Sequence, residues 1–236
     1  MLSWPDIDTV MFDMDGTLLD LHFDNYFWEY LVPHTWGQRR GLSVEEAWGQ
    51  LMKQYAAHNG TLNWYCIDFW TDTLELDIQR MKEELRHKIA LRPNVTTLLE
   101  RLRAHDKKVL LVTNAHPGSL TLKMDHTGLD VHFHRTISSH TLGRAKEDDG
   151  FWEALLDVEH YEPQRTVLVD DNVAVLRSAQ RAGIRHLLGI EQPDSQRPPL
   201  PMAEFTQLRD FEQIMPADPL LRPSGQYARR ESETSS

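Results

Sequence analysis

The stretch Thr9-Val10-Met11-Phe12-Asp13-Met14-Asp15-Gly16-Thr17 decides the fold. Its first four residues form a short, bounded, partly β-branched run that reads as a buried strand, so the two carboxylates emerge at that strand's carboxyl end. In an open parallel sheet this is the edge where ligands bind. The pair alone is a weak signal. Asp6-Ile7-Asp8 repeats the Asp-x-Asp pattern, but it precedes the strand and falls on the opposite edge.

Outward from this segment, residues 108–113, 135–138, 166–169 and 185–190 have the same strand character. Helical stretches separate several of them. Asn94 reads as the cap of a helix carrying Leu98, Leu99 and Leu102; Pro117 opens a helix that ends near Gly128; and residues 173–182 close at Gly183. This alternation predicts an α/β fold, a Rossmann-like parallel sheet with helices on both faces. About 90 residues separate the first two strands, far more than one crossover helix needs. Residues 20–92 read almost wholly as helix, with a Ser43/Glu46 capping box and Asp77 as an N-cap. The expected organisation is a catalytic core of residues 1–19 and 93–215, an inserted helical cap domain of residues 20–92, and a disordered tail of residues 216–236. Pro193, Pro198, Pro199 and Pro201 punctuate a loop before a short helix at 210–215. The insert holds 12 of the chain's 21 aromatics, including Trp28, Trp36, Trp48, Trp64 and Trp70. A small helical domain needs large side chains to build a core, and a flat substrate needs a stacking surface; either explains the bias.

Composition narrows the function. At 236 residues, 40% of them hydrophobic, the chain is long and apolar enough for a sizeable core. A net charge of −11 disfavours binding to a nucleic-acid backbone or an anionic membrane. No run approaches the ~18 apolar residues of a membrane span, and the N-terminus lacks a signal-peptide pattern. Cys66 is the only cysteine, which excludes an internal disulfide and a multi-cysteine zinc site and suits a reducing cytoplasm.

Three further signals fall on the edge that carries Asp13 and Asp15. Thr113-Asn114 ends a strand just before a helix start, where a hydroxyl, an amide and free N–H groups suit a phosphate. Lys146 lies in the loop before the helix that carries Phe151 and Leu155. Asp170-Asp171-Asn172 ends the strand at 166–169, and adjacent acids there are costly unless a cation sits between them and the first strand's acids. Four carboxylates with no matching His or Cys define a hard-oxygen site and point to Mg²⁺ rather than zinc. His116 and His140 fall near this edge but have no part in the chemistry read here.

Asp-x-Asp-x-Thr, then Thr-Asn, then Lys, then Asp-Asp, in that order, resembles the haloacid dehalogenase-like superfamily of phosphohydrolases. The resemblance covers residues 8–190, including a helical cap after the first strand. The segments 23–28, 61–66 and 113–117 are similar to the GMP/IMP nucleotidases of that superfamily. One departure is Glu147 after Lys146, where many relatives carry proline, so this loop is expected to be set differently. The resemblance implies that Asp13 is the nucleophile and forms an aspartyl-phosphate. Asp15 is the general acid and base. Mg²⁺ is held by Asp13, the Asp15 backbone carbonyl and Asp171, with Asp170 acting through water; Thr113, Asn114 and Lys146 bind the phosphoryl group and stabilise its charge. The implied substrate is a small phosphate monoester, a purine nucleoside monophosphate, with Trp28, Trp64 and Asn25 as candidate base contacts. A sugar-phosphate phosphatase, a phosphomutase and a non-enzymatic phospho-ligand module are the alternatives. A dinucleotide-binding protein is set aside because no Gly-x-Gly-x-x-Gly follows the first strand.

Overall fold

A computed structural model describes residues 2–218; most of the stretch read as a tail, residues 219–236, lies outside the described residues. The strands are β1 (Thr9–Phe12), β2 (Lys108–Thr113), β3 (Arg135–Ser138), β4 (Thr166–Asp170), β5 (His186–Ile190) and β6 (Thr206–Leu208). They form a parallel sheet in the order β3-β2-β1-β4-β5-β6. The direction of winding reverses at β1, so a crevice opens at its carboxyl end between the strands on either side. Phe12 is level with Leu111 of β2 and Val169 of β4, which brings Asp13, Thr113 and Asp170 to one rim.

Alternation along the strands explains why both faces are covered. Val10, Phe12, Val109, Leu111, Val167 and Val169 face one apolar cluster, while Met11, Leu110, Val112 and Leu168 face another. Helices seal both sides. Helices α1 (His22–Tyr26), α2 (Val32–Arg40), α3 (Val44–His58), α4 (Leu62–Tyr65), α5 (Ile67–Leu74) and α6 (Ile78–Glu84) make up the insert, with a π-helical turn at Phe27–Leu31 between the first two. The insert leaves and rejoins the core at a narrow neck. There Leu19 bridges Leu91, Asp20 N–H donates to the Ala90 carbonyl and Arg92 N–H to the Leu18 carbonyl. Ser43 and Glu46 form the expected reciprocal capping box, and Asp77 accepts from Arg80 N–H. Beyond the neck follow α7 (Val95–Ala104), α8 (Pro117–Thr127), α9 (Ser139–Leu142), α10 (Phe151–Val158) and α11 (Val173–Arg181).

Two details differ from the sequence expectation. Asn94 precedes α7 in a left-handed conformation (φ 65°) and does not cap the helix with its side chain; its amide donates to Asp210 instead, at 2.9 Å. The sixth strand, Thr206–Leu208, has only three residues, too short to carry a periodic signal. Among the described residues no helix is long and apolar enough to cross a membrane.

Candidate active site

Asp13 continues the β1 ladder, its N–H donating to the Val169 carbonyl at 3.0 Å, so its position is fixed by the sheet. Its carboxylate is 6% exposed and accepts from Lys146 Nζ at 2.5 Å. The same ammonium donates to Asp170 at 2.7 Å and to the Val112 carbonyl at 3.1 Å. Lys146 comes from a loop and is nonetheless held on both sides. Its N–H donates to Asn114 Oδ1 at 2.9 Å, and its carbonyl accepts from Ser178 Oγ at 2.6 Å. Thr113 Oγ1 accepts from Ala115 N–H at 3.0 Å, which leaves its own hydroxyl hydrogen free to donate.

Carboxylate oxygens of Asp13, Asp170 and Asp171 all lie within 4.8 Å of one another. Gly16 makes that approach possible. Its φ of +82° suits glycine, and a Cβ there would sit 2.5 Å from Asp171 Oδ2. Burial, opposed by Lys146, lifts the Asp13 carboxyl to about 6. Burial also raises Asp170, and it raises Asp171 well above the ordinary range, with the charges of Asp13 and Asp170 adding to the effect. Three crowded acids sharing one lysine form an all-oxygen donor set whose repulsion a hard divalent cation would relieve, so the residues present fit Mg²⁺.

Asp15 points elsewhere. Its carboxylate accepts from the buried Lys123 at 2.6 Å; Lys123 also donates to Asp24 at 2.7 Å, and Asp24 accepts from Lys82 at 2.8 Å. Burial raises the Asp15 carboxyl to about 6 against the pull of Lys123. At Asp24 burial is overcome by Lys123 and Lys82, which hold it at about 2.

Glu147 does not displace Lys146 from the site. Its carboxylate accepts from Asn114 at 2.9 Å, from Asn172 at 3.1 Å and from the insert's Tyr65 hydroxyl at 2.5 Å. The Asn114 side chain is therefore engaged at both ends, with Lys146 N–H and with Glu147. A cavity of about 330 Å³ is lined by Asp13, Thr113, Asn114, Lys146, Asp170 and Asp171. A second, of about 480 Å³, lies against the insert and is lined by Trp28, Met52, Tyr55, Trp64 and Trp70. Asp15 and Tyr65 line both.

The structure brings Asp13, Thr113, Asn114, Lys146, Asp170 and Asp171 to one cavity, with Asp15 at its junction with the second. Of the aromatics singled out above, Trp28, Trp64 and Trp70 line the larger cavity. Trp36 is packed in the insert under Arg40, and Trp48 is 47% exposed. Asn25 also lines that cavity, but its amide is engaged by Asp194 at 2.8 Å. Sequence reasoning missed Lys123, Lys82, Asp24 and Tyr65. A signal for Lys123 exists, since it follows Ser119 by four residues on the buried face of α8.

A model of the haloacid dehalogenase-like hydrolases matches residues 7–183. The chain is 43% identical to the GMP/IMP nucleotidase YrfG of Escherichia coli K12 over 216 residues, covering 92% of this chain and 97% of that one. Among solved structures, a HAD phosphatase from Thermococcus onnurineus superposes with a TM-score of 0.73 at 22% identity, over 88% of this chain and 96% of that one. An L-2-haloacid dehalogenase from Xanthobacter autotrophicus gives 0.53 at 19% identity, over 78% of each chain. At those identities the two structures speak for the fold.

Proposed function

The chain belongs to the haloacid dehalogenase-like hydrolases and is a phosphoric monoester hydrolase, and we propose that its substrate is a purine 5'-monophosphate such as GMP or IMP. The observation that carries this reading is the joining, at Asp15 and Tyr65, of an acid-and-lysine cavity to an aromatic chamber large enough for a nucleoside. The name of the 43% identical relative supports the same substrate class.

In this reading Asp13 attacks phosphorus in line, and the leaving oxygen takes a proton from Asp15. Asp15 then accepts the proton of the water that hydrolyses the aspartyl-phosphate, microscopically reversing its first role. A carboxyl near 6 gives and takes a proton with similar ease close to neutrality, which suits both steps. The Thr113 hydroxyl and the Lys146 ammonium stabilise the transferring oxygens, with Asn114 setting the loop around Lys146. Asp13, Asp171 and the Asp15 backbone carbonyl would hold Mg²⁺, with Asp170 acting through water. When bound, the ion offsets the repulsion between an anionic nucleophile and an anionic phosphate. Residues 20–92 act as the cap that closes over the substrate, and Trp28 and Trp64 flank the base. A single cysteine and the lack of a spanning helix among the described residues support a cytoplasmic site of action.

A panel of phosphate monoesters assayed with and without Mg²⁺ tests this. Release of inorganic phosphate should depend on Mg²⁺ and be fastest with GMP and IMP. Asp15→Asn should abolish turnover while circular dichroism shows an intact fold. A preference for sugar phosphates would overturn the purine reading, and a requirement for a bisphosphate activator would replace hydrolysis with mutase chemistry.

A further inference from the structure

A second cluster of metal-ligating side chains lies where the insert meets the core, apart from the aspartates. Cys66, His116 and His140 each place one ligand atom within 4.8 Å of the other two. A tetrahedral site with metal–nitrogen bonds of ~2.0–2.1 Å and a metal–sulfur bond of ~2.3 Å has edges of roughly 3.3–3.6 Å, so closing the set needs a contraction of at most about 1.5 Å.

Each ligand is oriented by a neighbour. Cys66 caps α5, and its sulfur accepts from Phe69 N–H at 3.4 Å, a bond that suits a thiolate. His116 caps α8 through Nδ1, which accepts from Gly118 N–H at 3.2 Å. That places the ring proton on Nε2, which faces the Asp68 carboxylate at 3.3 Å, so a metal would take the Nδ1 lone pair in exchange for the Gly118 bond, with Asp68 holding the ring from the other side. His140 packs edge-on to His116, with ring centroids 5.0 Å apart. The His140 Nε2 is buried and has no hydrogen-bond partner. Since the Asn114 backbone hydrogen-bonds this ring, that bond falls to Nδ1 and leaves the Nε2 lone pair unused. A backbone carbonyl on one imidazole nitrogen with a bare lone pair on the other is the arrangement found in metal-ligating histidines.

We propose that Cys66, His116 and His140, with Asp68 orienting His116, form a second metal site that takes a thiophilic divalent ion of the Zn²⁺ class in preference to Mg²⁺. One sulfur and two imidazoles suit such an ion and offer Mg²⁺ little. Cys66 and Asp68 come from the insert, whereas His116 and His140 come from the core. The bound ion therefore ties the two parts together beside the larger cavity, which His116 lines. Occupancy slows catalysis by resisting cap opening, and removal of the ion restores the rate. The site stands on its own residues and does not depend on which phosphate monoester is hydrolysed.

Cobalt reports directly on the sulfur. The full-length, metal-stripped protein is titrated with Co²⁺ in a large excess of Mg²⁺, and binding is followed by absorption. One ion should bind with a thiolate-to-cobalt charge-transfer band and tetrahedral-intensity visible bands, and one equivalent of Zn²⁺ should displace it. Cys66→Ser should remove the charge-transfer band, and His140→Gln should weaken Co²⁺ binding by about 10-fold or more. Both variants should keep Mg²⁺-supported phosphatase activity and lose sensitivity to micromolar Zn²⁺. A wild-type spectrum without the charge-transfer band overturns the proposal. So does wild-type Co²⁺ affinity in Cys66→Ser and His140→Gln, which would place the ion on the aspartates.

Discussion

Replacing Asp171 by asparagine should stabilise the metal-free protein while abolishing its activity. Burial, opposed by Lys146 and reinforced by the charge of Asp170, lifts the Asp13 carboxyl from 3.8 to about 6, or roughly 3 kcal/mol, which shows how costly charge is at this rim before Asp171 is counted. A carboxyl whose folded value is raised leaves stability intact below the unfolded value and removes it as pH rises through the folded one. The penalty therefore develops between about pH 4 and 6 and persists at neutrality. Asp171 lies within 4.8 Å of Asp13 and Asp170, oxygen to oxygen. At an effective dielectric constant of ~20 each such pair repels by about 3 kcal/mol. Asp171 is only partly buried, and screening brings the net relief on removing its charge to about 2 kcal/mol. For a chain of this size that corresponds to a rise of about 4–8 °C in Tm. Thermal unfolding by circular dichroism in EDTA near pH 7.5 should show the rise. It should vanish near pH 4, where the acids are already neutral, and Mg²⁺ should raise the Tm of the parent protein but not that of the variant. An unchanged or lower Tm in EDTA at neutral pH would refute the claim that these acids oppose folding until a cation joins them.

Two other outcomes follow from the hydrogen-bond pattern. Tyr65→Phe removes the hydroxyl that donates to Glu147 across the contact between insert and core, so it should lower kcat/KM by about tenfold, some 1.4 kcal/mol, and in a Glu147→Leu background, where the acceptor is already gone, it should cost nothing further; an added loss there would mean the two side chains act separately. Lys123→Met removes the cation that lowers Asp15 and leaves Asp24 beside it, so the alkaline limb of the kcat/KM profile should move up by about a unit. An unmoved limb would detach Lys123 from the proton on Asp15.

The sequence carried the sheet because its strands are buried on both faces, so the runs from Thr9 and Val109 are apolar without interruption. The grouping of Asp13, Thr113, Lys146 and Asp171 was legible because each sits next to a strand end or in one defined loop, and strand direction then fixes the edge. What was not legible depends on side chains crossing between elements distant in the chain. Lys123 meets Asp15 across 108 positions, and Tyr65 meets Glu147 across 82. No local periodicity records such meetings. Glu147 was noticed only as a missing proline, whereas its carboxylate is where Asn114, Asn172 and Tyr65 converge. Asn94 has a residue type suited to capping, but the backbone adopts the left-handed conformation that asparagine also tolerates, and the side chain turns to Asp210.

The doubled neck at Leu19 and Leu91 has a consequence for how such a molecule can change over generations. Both ends of the insert are fastened side by side, so helices can be lengthened, trimmed or exchanged beyond that point without altering the spacing of the strands beneath. In the proposed division of labour, recognition and bond-breaking are thereby inherited as separable parts, one free to drift toward a new metabolite while the other keeps the geometry that the sheet imposes on Asp13.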